Sequence, residues 1–188
     1  MNRVYYSRAF TLVELMVTIA IAAILLVVAV PSFTSFSQKR SVSLKTVQIR
    51  NALELARGLA ISQKQTWTVC TVDASNSCVA SDGLRLLVFR DDNDDKDFNT
   101  GEPLQQDIDI NQVELKLSAS FGNDYIRFAR NGEALESGNI EVCSVNQTVD
   151  YGRQVIFLVS GRVRLSSDST GDGYDNDTDG TKIECHSS

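Results

Sequence analysis

The first 31 residues restrict this chain more than any other segment. Residues 1–9, MNRVYYSRA, are short and polar, with Arg3 and Arg8 as their charges. From Phe10 to Val30 follow 21 residues, FTLVELMVTIAIAAILLVVAV, whose polar members are Thr11, Glu14 and Thr18. A helix of that length measures roughly 30 Å, the thickness of a bilayer's hydrocarbon core. Two arginines precede it and no basic residue follows until Lys39. The positive-inside rule therefore predicts a cytoplasmic N-terminus, with everything after Pro31 beyond the inner membrane. A cleavable secretory signal has a shorter apolar region, of about 7–15 residues. A plain signal anchor fits the length but leaves Glu14 unexplained. A carboxylate at mid-membrane costs about 2.5–3.5 kcal/mol on insertion scales. Nothing in its own helix can pair with it, so a partner on another chain is the economical explanation.

The rest of the chain has the size and texture of one exported domain. Its 188 residues carry a net charge of −6, and losing Arg3 and Arg8 would take this to −8. The excess is local: Asp91–Asp97 and Asp168–Asp179 each hold five aspartates, ten of the 24 acidic residues. That argues against broad nucleic-acid binding and leaves room for one local basic patch. Cys70, Cys78, Cys143 and Cys185 form an even set in an oxidising compartment and so read as disulfides. Three pairings are open, among them Cys70–Cys78 around DASNS with Cys143–Cys185 stapling the tail. A zinc site is the alternative, but there is no CxxC pair and the one histidine is His186.

Val42, Ile49, Leu53, Ala56 and Ala60 recur at spacings of seven, four, three and four, which is one helical face. The predicted organisation is a leader at 1–9, a membrane helix at 10–30, its amphipathic continuation at 31–63, and a β-rich domain at 64–188 with an acidic tail. Pro31 removes a backbone hydrogen bond and can kink the helix. From Thr66 onward the candidate strands are TWTVCTV, LRLLVFR, VELKLS, YIRFAR, NIEVCSV, RQVIFLV and RVRLSS. No βαβ alternation occurs, so the expected class is α+β, a long helix packed on antiparallel sheets.

Catalytic signatures are absent: no G-x-S-x-G, no P-loop, no H-E-x-x-H. The reading is of a non-enzymatic protein. Asp91, Asn93, Asp95, Asp97, Asn99 and Glu102 fall at positions 1, 3, 5, 7, 9 and 12 of an EF-hand-like calcium loop. Lys96 stands where that loop needs glycine, and a solvated acidic hairpin is the plainer reading. The tail repeats the D-x-D-x-D-G opening at Asp175–Gly180, with His186 at position 12. In Val159-Ser160-Gly161-Arg162-Val163-Arg164, residues two apart on a strand share a face, so Arg162 and Arg164 project together. With Arg153 nearby they could make a phosphate-binding edge, because guanidinium groups take phosphate bidentately. Two arginines balancing acidic loops is the plainer reading.

Ala9-Phe10-Thr11-Leu12-Val13-Glu14, with the apolar run and Pro31, resembles the signal of type IV prepilins and pseudopilins. The resemblance implies a prepilin peptidase that cuts between Ala9 and Phe10 and methylates the new Phe10 amine. It implies that Glu14 pairs with the terminal amine of a neighbouring subunit. Ala9 stands where the family usually has glycine. Phe89-Arg90-Asp91 through Gly101-Glu102-Pro103, and Ser160-Gly161-Arg162-Val163-Arg164, are similar to the GspH/FimT branch of minor pilins and pseudopilins. The implied function is a minor subunit of a type IV pilus near its tip, partnered by other pilins and by inner-membrane lipid. The alternatives are a type II secretion pseudopilin, or a minor pilin that takes up extracellular DNA through Gly161, Arg162 and Arg164. The implied location is the inner membrane with the bulk periplasmic, and then a filament.

Overall fold

The computed structural model describes residues 11–145, 151–177, 179–183 and 185. One helix, α1 (Leu12–Gln63), opens the chain, and the molecule divides into two compact units after Ser37.

In the first unit the helix is apolar all round. Every large apolar side chain described between Leu12 and Val30 is exposed, so no described residue removes that surface from water. α1 is long and apolar enough to cross a membrane. Its hydroxyls are compatible with that setting. Thr18 Oγ1 donates to the Leu15 carbonyl at 2.8 Å and Thr34 Oγ1 to the Val30 carbonyl at 3.0 Å. Polar groups satisfied inside their own helix need no water in a bilayer.

In the second unit the same helix becomes one-sided. Val42, Ile49, Leu53, Ala56 and Ala60 are fully buried, joined by Thr46 and Ala52. Thr46 enters because its hydroxyl bonds back to the Val42 carbonyl at 2.7 Å, which removes the cost of burying it. The stripe packs on two antiparallel sheets. The first contains β1 (Trp67–Val72), β2 (Cys78–Val79), β3 (Arg85–Phe89), β4 (Leu104–Asp109) and β6 (Tyr125–Phe128), in the order β2-β1-β3-β4. β6 shares with β2 one edge of β1, covering its first residues while β2 covers its last. The second sheet has the order β5-β7-β8-β9, from β5 (Val113–Ala119), β7 (Gly138–Ser144), β8 (Gly152–Phe157) and β9 (Val163–Leu165). Val113, Leu115 and Leu117 alternate inward along β5, and Ile140, Val142, Val155 and Phe157 complete the face that meets α1 in the core.

The fold class is the predicted one. Two strands escaped the sequence reading for clear reasons. β4 reads LQQDID, an edge strand with Ile108 as its one buried side chain. β2 is two residues long. β1 is buried on both faces. Its second face, with Cys70 and Val72, joins Leu87 and Phe89 in a smaller core that Phe98 and Tyr125 cover. Phe98 belongs to the acidic segment, and its ring meets that of Phe89 edge-on at 5.5 Å between centroids.

Candidate functional site

The N-terminal candidate is built on the first turn of α1. Ala9 and Phe10 lie outside the described residues. Thr11 precedes the helix, and its hydroxyl accepts the Glu14 backbone N–H at 3.2 Å. Thr-x-x-Glu is the sequence pattern of a helix start, and a carboxylate in the first turn is stabilised by the helix dipole. The residues Thr11-Leu12-Val13-Glu14, which carry part of the prepilin resemblance, thus also hold a helix-start pattern. Glu14 itself is exposed on the bare helix.

The second candidate is the hairpin between β8 and β9. The Leu158 N–H donates to the Arg162 carbonyl at 3.1 Å and the Gly161 N–H to the Leu158 carbonyl at 2.8 Å. Gly161 has φ +75°, the left-handed region. A Cβ built on it would also lie 1.9 Å from the Gly132 carbonyl oxygen, so only glycine fits. Beyond the turn, Val163 and Leu165 pack toward the core. Arg162 and Arg164 alternate with them and are exposed. Among the described residues neither has a carboxylate partner. Arg153 is a correction. Its Nε donates to Asp175 Oδ2 at 2.9 Å, and that oxygen also accepts the Ser166 hydroxyl at 2.6 Å. Arg153 is engaged by the tail and does not join the arginine pair.

The acidic segment folds around its own backbone. Asp91 accepts the N–H groups of Asp95 and Lys96 at 3.2 and 2.9 Å, and Glu102 those of Asp92 and Asn99, both at 2.9 Å. Asn93 Oδ1 accepts the Asp95 N–H at 3.2 Å, Asp95 accepts the Asp97 N–H at 3.0 Å, and Asp97 accepts the Cys78 N–H at 2.7 Å. The candidate calcium ligands are thereby turned toward amides. Among the described residues no three His, Cys, Asp or Glu side chains gather to hold a metal. The Asp97 amide, together with the Asn93 and Asn99 side chains and Lys96, holds Asp95 below the usual carboxylate range. The Arg90 guanidinium does the same for Asp92. The tail is likewise not a free acidic strand, since Asp175, Asn176 and Ile183 are buried. The disulfides are Cys70–Cys78 and Cys143–Cys185, the second clamping the tail to β7.

A helix with one bare apolar half and one half laid on antiparallel sheets defines a pilin-like subunit. The Pseudomonas aeruginosa type IV minor pilin FimU shares the fold, with a TM-score of 0.51 and 18% identity over 70% of this chain and 92% of that one. The minor pseudopilin EpsH from the Type 2 Secretion System of Vibrio cholerae aligns at a TM-score of 0.46 and 18% identity, over 69% and 98% of the two chains. No curated protein matches the sequence significantly. Residues 5–30 match the prokaryotic N-terminal methylation motif. Residues 46–171 match the family described as type II transport protein GspH, and the chain belongs to that family. It is a protein of the minor pilin or pseudopilin class.

Proposed function

We propose that this chain is a minor subunit of a type IV pilus, held in the inner membrane by residues 10–30 with its N-terminus cytoplasmic. On this reading prepilin peptidase cleaves between Ala9 and Phe10 and methylates the Phe10 amine, and Glu14 then pairs with the terminal amine of a neighbouring subunit. The observation that carries it is the bare apolar half of α1, in which Glu14 is the one ionisable group described. Such a surface is stable in lipid, or against the equivalent helices of other subunits. Transfer from lipid to filament keeps it covered throughout. The lone carboxylate then acts as a register mark, because it is costly wherever it lacks its cation. Glu14→Ala should insert in the membrane normally and be lost from the sheared filament fraction on immunoblots. Normal incorporation would overturn the pairing role. A type II secretion role makes a different prediction: deleting the gene would abolish secretion and leave pili in place.

A second reading is favoured by Arg162 and Arg164, exposed together without carboxylate partners among the described residues. They would contact DNA phosphates. Electrophoretic mobility of DNA with the detergent-solubilised full chain, wild type against Arg162→Gln/Arg164→Gln, tests this. The expected outcome is a salt-sensitive complex lost in the double variant. Identical behaviour of the two proteins would end it.

A further inference from the structure

Five of the ten described arginines in this acid-rich chain find a carboxylate. Arg50, Arg85, Arg90, Arg127 and Arg153 lie 2.6–2.9 Å from Glu54, Asp107, Asp92, Glu136 and Asp175. Arg40, Arg57, Arg130, Arg162 and Arg164 have none among the described residues, and three distant segments bring the last four to one end of the sheet unit. Arg130 sits on the loop after β6, where the Ala129 N–H donates to the Glu133 carbonyl and the Gly132 N–H to the Ala129 carbonyl, both at 2.8 Å. That is the hydrogen-bond pattern of the Leu158–Arg162 turn. The two tips also touch: Gly161 packs on the Gly132 carbonyl, and the Ala134 N–H donates to the Val159 carbonyl at 2.9 Å.

Arg57 reaches the same point from α1. Its Nε donates to the Gly132 carbonyl at 2.9 Å. This bond fixes the guanidinium plane and leaves its other N–H groups without a protein acceptor among the described residues. Beside it is a cleft of about 390 Å³ lined by Glu54, Arg57, Gly58, Ile61, Arg162 and Val163, with Gly161 at its edge. Glu54 makes no ion pair with Arg57; its Oε1 accepts from Arg50 Nε and Nη2 at 3.0 and 2.8 Å. Ile61, Gly58 and Val163 give the cleft an apolar side against which a sugar or base can lie.

We propose that this cleft seats one phosphodiester of a nucleic-acid strand between Arg57 and Arg162, while Arg130 and Arg164 take neighbouring phosphates. The proposal rests on the nucleic-acid reading above and adds a helix residue that no sequence motif marks. Four cations spread over two hairpin tips and a helix suit a strand of repeated charge better than a single carboxylate. The volume lies within the range of small-ligand sites, large enough for one nucleotide.

The test is fluorescence anisotropy of a labelled oligothymidylate with the detergent-solubilised full chain across a salt series. Arg57→Gln should weaken binding about tenfold, as expected for losing a charged hydrogen bond. It should also lower the slope of log affinity against log salt by about 0.7, one single-strand phosphate contact. Arg57→Lys should keep the slope, and Arg40→Gln, exposed elsewhere on α1, should change neither quantity. If Arg57→Gln and Arg57→Lys both lose affinity with the slope unchanged, Arg57 only supports the hairpin and the proposal fails. If Arg57→Gln binds like wild type while Arg162→Gln/Arg164→Gln does not bind, the proposal fails and the nucleic-acid reading stands. Absence of binding by the wild type ends both. Tighter binding of a labelled hexaglutamate than of the oligonucleotide would assign the cleft to a protein carboxylate and overturn the proposal.

Discussion

Glu136 is buried at 1% exposure, and one residue answers its carboxyl group at three points. Arg127 donates to it from its backbone N–H at 2.7 Å, from Nε at 3.0 Å and from Nη2 at 2.8 Å. Arg127 also lies over the Tyr125 ring, 5.1 Å from its centroid. Removing one member of such a pair strands the other. Glu136→Ala should therefore cost about 3 kcal/mol, the lower end for breaking a buried pair, since Arg127 keeps a path to solvent. The double change Arg127→Met/Glu136→Leu should cost much less. Urea denaturation followed by the fluorescence of Trp67, the chain's one tryptophan and a buried one, measures both. A single-variant loss below about 1 kcal/mol would mean that water replaces the carboxylate freely. This pair was not legible in the sequence. The two residues belong to different strands' surroundings, and either could have been a solvated surface charge.

At the scale of elements, the acidic loops behave as folded turns rather than as bristles of repelling charge. Several of their carboxylates titrate below the ordinary range for stated reasons. Asp95 accepts the Asp97 amide, Asp168 the amides of Gly173 and Gly171, and Asp177 the hydroxyl and amide of Thr181; in the turn between β1 and β2, Asp73 likewise accepts the Ser75 hydroxyl. A carboxyl with a depressed folded pKa binds fewer protons folded than unfolded. Its contribution is complete above its unfolded value of about 4 and is lost as pH falls through the folded value. The opposing effect is relief of repulsion among aspartates in a chain of net charge −6, which would stabilise on acidification. At about 0.15 M salt the screening length is roughly 8 Å, so short contacts to amides outweigh longer repulsions. Melting temperature should be level from pH 7 to about 5 and fall below about 4. Thermal melts by circular dichroism across that range check it, and a rise on acidification would show that repulsion dominates. The same loops mark how far element prediction reached. Their turn character was visible in Asp91–Asp97, but the burial of Phe98 against Phe89 was not, because it depends on a face of β3 that the loop itself covers.

For the whole molecule, the tail after the family-matched region acts as a clamp. The match ends at residue 171, whereas Asp175, Ile183 and Cys185 lie beyond it and attach to β8 and β7. The Cys143–Cys185 bond spans 42 residues of sequence and Cys70–Cys78 spans eight. Loop-closure entropy gives about 4 kcal/mol for the first and about 2.5 kcal/mol for the second. Cys143→Ser/Cys185→Ser should therefore lower stability more than Cys70→Ser/Cys78→Ser, as read by urea midpoints. The reverse order would mean that the second, smaller core depends on its staple more than the tail does. The even cysteine count predicted disulfides, but spacing left three pairings open. Which cysteines meet is decided by sheet register and by where the tail lands.

The membrane-length helix, its lone carboxylate, the buried stripe at Val42–Ala60 and the antiparallel class were all set by sequence, because each depends on residues close together in the chain. Periodicity and hydropathy are local quantities. The tertiary structure alone decided which charges remain open. Arg153 and Arg162 look alike in sequence, nine positions apart. One is closed by Asp175 from the tail, while the other stands beside Arg57, brought there because Gly132 and Gly161 allow two hairpin tips to touch. Long-range packing chose between them, and no local pattern records that choice.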